Sequence, residues 1–151
     1  THSRSILYFY VLYVSNMKTS KNFLRKELRH LRPQIKSIEN HLSTNAAEKF
    51  QNETLRPVIK LQNDLLVEVY QHYLQERKTS LMAISKPERM TFISSSLKKD
   101  QSLRNTMLGI IIGLFTEEEY LRYIEDKREL NRRIVNMLIK RLQDQLSETQ
   151  V

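Results

Sequence analysis

Both glycines of this 151-residue chain, Gly109 and Gly113, fall inside one apolar run, Met107–Phe115. Other turn-forming signals are as scarce: there are three prolines and no Asn-Gly or Asp-Gly pair. A sheet protein needs many tight turns and builds them from such residues. Leu, Glu, Lys, Arg and Gln are abundant and favour helix. These constraints predict an all-α fold, a single compact helical bundle of about five helices with one central buried helix. The length suits one domain around one core.

That central helix is expected from about Asp100 to Leu114. Leu103, Met107, Ile110, Ile111 and Leu114 form one face, and Leu108, Ile112 and Phe115 cover much of the rest. Gly109 and Gly113 each cost roughly 1 kcal/mol of helix propensity relative to Ala. At positions i and i+4 they share a side, so a neighbouring helix is expected to approach closely there. The run is too short for a transmembrane dimer motif of the small-xxx-small kind.

The flanking signals divide the remaining chain. Thr116 and Glu119 have the spacing of a reciprocal capping box, with Phe115 and Tyr120 at the staple positions. The last helix is then expected to run to about Leu146, with Tyr120, Leu121, Ile124, Val135, Leu138 and Leu142 inward. Ser85 and Glu88 cap a shorter helix in the same way. Asn45 and Glu48 open a long helix towards Lys78, perturbed by Pro57. Upstream, Leu24, Leu28, Leu31, Ile35, Ile38 and Leu42 form a heptad-like apolar seam. Its continuation in register past Pro33 favours a kink there over a break.

Residues 1–16 stand apart. Ile6–Val14 is nine consecutive apolar or aromatic residues, too few to span a bilayer. The stretch also lacks a small-x-small cleavage pattern, whereas Met17-Lys18-Thr19-Ser20 reads like a start. Residues 1–16 are therefore expected to be an upstream or appended segment, weakly ordered or packed on the bundle. The helical domain is 17–147 and the tail 148–151.

The formal charge is +8, and it is uneven: residues 1–50 carry nine Lys/Arg against three Asp/Glu. A row formed by Lys18, Lys21, Arg25, Arg29, Arg32 and Lys36 runs beside the apolar seam. Lys21, Arg25, Arg29, Arg32 and Lys36 are the candidate binding residues, for nucleic-acid phosphates or an acidic protein. No flanking feature supplies base reading. The bland alternative is a solvated face.

Sites for chemistry are sparse. The chain has no cysteine, which removes disulfides, thiolate zinc sites and cysteine nucleophiles and suits a cytoplasmic protein. No two of His2, His30, His41 and His72 are three or four residues apart, so no helical metal pair exists. No phosphate-binding glycine loop or Ser/His/Asp signature is present. Neither a catalytic residue nor a metal or other cofactor is expected. Glu118 is the one carboxylate of its cluster that capping does not require. Asp64, Arg104, Glu118 and Asn131 are candidates for a buried polar cluster, because a charge beside an apolar helix must be paired. In that setting Arg104 could also recognise a small anion.

From Met17 to Leu146 the chain resembles a family of uncharacterised small all-helical bacterial proteins. The residues concerned are Leu55-Arg-Pro-Val-Ile-Lys-Leu-Gln-Asn-Asp-Leu65, Gly109-Ile-Ile-Ile-Gly-Leu-Phe-Thr116 and Arg141-Leu-Gln-Asp-Gln145. The resemblance implies a compact helical domain. Some members bear the label glyoxalase, but vicinal-oxygen-chelate folds present metal-binding His and Glu from strands, and this sequence has no such pattern. Taken together, the residues point to a non-enzymatic binding or assembly protein, a homodimer or one with a protein partner, without a membrane. The alternatives are non-specific nucleic-acid binding through the basic helix and small-molecule binding or catalysis in a convergent polar pocket.

Overall fold

The structure, a computed structural model, describes residues 25–35 and 45–147. Among these residues there are seven complete α-helices and no strand. They are α1 (Ala46–Phe50), α2 (Arg56–Leu61), α3 (Asn63–Glu76), α4 (Lys86–Lys99), α5 (Gln101–Ile112), α6 (Glu117–Glu125) and α7 (Lys127–Leu146). A π turn, Gln51–Leu55, joins α1 to α2, and a short 3₁₀ turn, Leu81–Ala83, precedes α4. Residues 1–24, 36–44 and 148–151 lie outside the described part. With them go the appended segment and tail, Lys18, Lys21 and Lys36, His2 and His41, and Leu24, Ile38 and Leu42.

The fold is all-α, with more helices than the five or so expected, because two long helices are interrupted. Pro57 has no N–H and its ring would strike the carbonyl four residues back. The ladder widens ahead of it, and the Arg56 N–H bonds the Gln51 carbonyl five residues away. A second break at Gln62 (φ −88°, ψ 6°) separates α2 from α3. The third, at Asp126 (φ −136°, ψ 47°), separates α6 from α7.

The capping signals are realised. Asn45 accepts from the Glu48 N–H, and Ser85–Glu88 and Thr116–Glu119 form reciprocal boxes. Asp100, which the sequence did not single out as a cap, accepts from the Leu103 N–H. At the end of α3, Lys78 takes φ 51°. Its N–H reaches the Gln75 carbonyl, and the Thr79 N–H reaches that of Leu74. This is a Schellman ending with lysine at the position where glycine is usual.

Helix α7 packs against α3, α4, α5, α6 and the π turn. It buries Leu130, Ile134, Leu138, Ile139, Leu142 and Leu146. Helix α5 adds Leu103, Met107, Leu108 and Ile111, while α3 and α4 add Leu66, Tyr70, Ile93 and Leu97. The Tyr70 hydroxyl meets Ser96 Oγ at 2.9 Å inside this core. Burial pushes that phenol up to about 12.

Three expectations need correction. First, the N-terminal helix does not run up to Pro33, so it has no kink there. Arg25–Glu27 is helical, turns follow through Leu31, and Pro33–Ile35 is irregular. Proline drives its preceding residue out of the α region. Second, Tyr120, Leu121 and Ile124 do not face inward; they are 47%, 60% and 46% exposed. The break at Asp126 re-aims α6, so that Glu119 and Tyr123 are its buried residues. Third, among the described residues no neighbouring helix packs closely against Gly109 or Gly113. A Cβ at Gly109 would meet nothing within 4 Å, and one at Gly113 would meet the carbonyl oxygens of Gly109 and Ile110. With open space and helical geometry, Gly109→Ala should stabilise the fold by about 0.5–1 kcal/mol in urea unfolding. A destabilised variant would mean that another surface lies against that face.

Candidate binding site

The spacing of Arg25, Arg29 and Arg32 places them along one side of the turn-rich N-terminal segment. That side faces the protein. All three guanidinium groups reach the junction between the carboxyl end of α5 and the amino end of α6. Arg25 Nη1 donates to the carbonyls of Phe115 (2.8 Å) and Gly113 (3.3 Å). Arg32 Nη2 donates to Leu114 O at 2.7 Å. Cations thus meet carbonyls that a helix end leaves without intrahelical partners.

The same arginines meet the acids of α6. Arg32 is bidentate on Glu119, with Nη1–Oε1 at 2.6 Å and Nη2–Oε2 at 2.8 Å. Both side chains are nearly inaccessible, at 6% and 4% exposed. Glu119 also accepts from the Thr116 N–H (2.8 Å) and from Thr54 Oγ1 (3.3 Å). Arg29 bridges Thr116 Oγ1 and Glu118 Oε2, each at 3.1 Å. Burial alone would raise the Glu119 carboxyl. Hydrogen bonds from Arg32 and the Thr116 amide, with the charges of Arg32 and Arg29, outweigh burial and hold it below its ordinary value.

Three of the five candidate binding cations are therefore engaged within the molecule, and Lys21 and Lys36 lie outside the described residues. The residues proposed for one buried polar cluster are not brought together. Asp64 accepts from its neighbour Asn63, and Glu118 pairs at the surface with Arg29. Arg104 donates to the carbonyls of Lys98 (2.7 Å) and Leu97 (3.5 Å), closing the carboxyl end of α4. Asn131 accepts from the Tyr123 hydroxyl at 2.5 Å. These residues are on different helices and find local partners first. Glu119, the buried acid, was assigned only a capping role by the sequence. The available signal was its box position, together with arginines at the matching helical spacing upstream.

Two concavities flank the junction. One is an apolar groove of about 560 Å³, walled by Ile112, Gly113, Phe115, Tyr120 and Leu121, with Arg25 and Glu117 on its rim. The other is a polar cavity of about 500 Å³ between the Arg29–Ile35 segment, the π turn and α6. Asn52, Glu53, Thr54, Glu119 and Arg122 contribute its polar wall. Among the described residues no cluster of three or more His, Asp or Glu has metal-binding geometry. No helix among them is long and apolar enough to cross a membrane. No known protein family, curated protein or solved structure matches the chain.

Replacing one partner of a buried ion pair strands the other, at a cost of about 3–5 kcal/mol. Arg32→Met should show that loss in urea unfolding. Arg29→Met removes a side chain that is 45% exposed and should cost about 1 kcal/mol or less. The pH dependence has a defined sign. Because the folded Glu119 carboxyl is depressed, its contribution is complete above the unfolded value near 4.5 and declines as acid takes pH through the lower folded value. Comparing wild type with Glu119→Gln between neutral pH and that range should show the wild type losing its advantage as pH falls.

Proposed function

We propose that this protein is a non-enzymatic assembly module that pairs with a second copy of itself through α6. The observation that carries the proposal is the exposure of Tyr120, Leu121 and Ile124 on one short helix. Single exposed apolar side chains are ordinary, whereas contiguous ones beside a groove mark interaction surfaces. Leu121 and Tyr120 form the wall of the apolar groove, and Gly113 leaves its floor without a side chain. The rim supplies both signs of charge, Arg25 and Glu117. A two-fold contact repeats the same patch on both partners. It would set apolar wall against apolar wall and bring the Arg25 of one copy towards the Glu117 of the other.

Nucleic-acid binding through the basic row has less support. Phosphates would have to compete with main-chain carbonyls and Glu119 for Arg25 and Arg32. The polar cavity is lined by Glu53, Glu119 and Arg122, each of which has a partner of opposite charge among the described residues.

Sedimentation velocity tests the pairing. The wild-type chain should form a dimer in the tens-of-micromolar range. Leu121→Asp should weaken that dimer by at least about 30-fold, the effect of a central interface residue. Its circular dichroism should stay unchanged, because Leu121 is exposed in the single chain. A wild-type protein that is monomeric throughout the accessible range would overturn the proposal.

A further inference from the structure

The polar cavity holds an unusual combination of unused hydrogen-bonding groups. Asn52 is only 8% exposed, and among the described residues its amide has no hydrogen-bond partner. Neither amide atom is sealed away from solvent, and the residue lines the cavity. The amide thus has hydrogen-bonding capacity that only solvent or a ligand in the cavity can use. Nearby, the buried Arg32 Nε also has no acceptor among the described residues, although the two terminal nitrogens of the same group are well bonded.

The charged groups at the cavity mouth are loosely held. Arg122 Nη2 lies 3.7 Å from Glu53 Oε2, beyond hydrogen-bond distance. The other carboxylate oxygen of Glu53 lies 3.9 Å from Lys49 Nζ. Arg122 rests over the Phe50 ring at 5.3 Å, which orients its guanidinium without using its N–H donors. The cavity thus offers spare donors on Arg122 and Asn52, and spare acceptors on Glu53 and Asn52. A simple anion would gain Arg122 but face Glu53. A simple amine would gain Glu53 but face Arg122.

We infer that this cavity is a binding site for a small zwitterion of the α-amino-acid class, held beside the Arg122–Glu53 pair and anchored on the Asn52 amide. The carboxylate takes the planar donor fork of Arg122, the geometry for which guanidinium groups are suited. The ammonium takes Glu53. The Asn52 amide, which can both donate and accept, supplies a further contact. The volume of about 500 Å³ lies within the range of small-molecule sites. The cavity shares no lining residue with the apolar groove.

Nuclear magnetic resonance tests the site directly on the full chain. The common L-α-amino acids are titrated singly, with acetate and methylamine as the two halves of the ligand and sodium chloride as an ionic control. At least one amino acid should shift the Asn52 side-chain amide and the Arg122 Nε–H signals saturably, while acetate, methylamine and chloride do not. Asn52→Leu should weaken that amino acid by about tenfold or more, the effect of losing one buried hydrogen-bonding group. Arg122→Gln, at an exposed position that leaves the core intact, should do the same. The proposal is overturned if no amino acid moves these signals, if acetate or methylamine alone moves them equally well, or if neither substitution weakens binding.

Discussion

The Arg32–Glu119 pair joins four separate pieces of chain. The arginine comes from the N-terminal segment and also holds the last carbonyls beyond α5 through Leu114. The glutamate closes the capping box that starts α6 and takes the Thr54 hydroxyl from the π turn. Desolvating two charges is costly, and their attraction offsets that cost only when the geometry is good and the remaining lone pairs are met. On the glutamate side that condition is fulfilled by Arg32, Thr116 and Thr54 together. The surrounding elements are therefore fixed in place by one carboxylate's need for partners.

Local features of the fold were legible in the sequence. The caps at Asn45, Ser85 and Thr116 depend on residues three apart, and such signals survive without knowledge of tertiary context. The core stripe of Leu103, Met107 and Ile111 was legible for the same reason of spacing. The breaks were not. Nothing around Asp126 carries glycine or proline, and the apolar pattern runs across it with only Arg128 and Asn131 interrupting. The change of face there follows from how Tyr123 and Glu119 pack, which sequence periodicity does not contain. Pro33 and Pro57 were visible as perturbations, but their outcomes differ. One follows a stretch where helix has already given way to turns, and the other is accommodated by the π turn between α1 and α2.

The basic row shows the same limit at the level of the candidate site. A heptad-like apolar seam implies that the charges beside it face water. Once the helix stops ahead of Pro33 the seam loses its continuity, and the arginine side turns inward. Leu31, nominally on the seam, is 66% exposed, whereas Arg32 is almost fully buried. Charge at helical spacing therefore records which residues share a side, while the partner of that side is decided by the acids it can reach.

Helix α6 has only nine residues, fewer than a helix needs to persist alone in water. Its attachment comes from a capping box, the Glu119 carboxylate and the Tyr123 ring, which packs edge-on against Phe115. Few of its side chains contribute to the core, so it can detach at a free-energy cost below that of global unfolding. Detachment would expose the arginine charges and erase both concavities in one step, leaving α7 on the remaining core. Helix α6 is thus the cooperative unit through which the N-terminal segment shares its stability with the rest of the molecule.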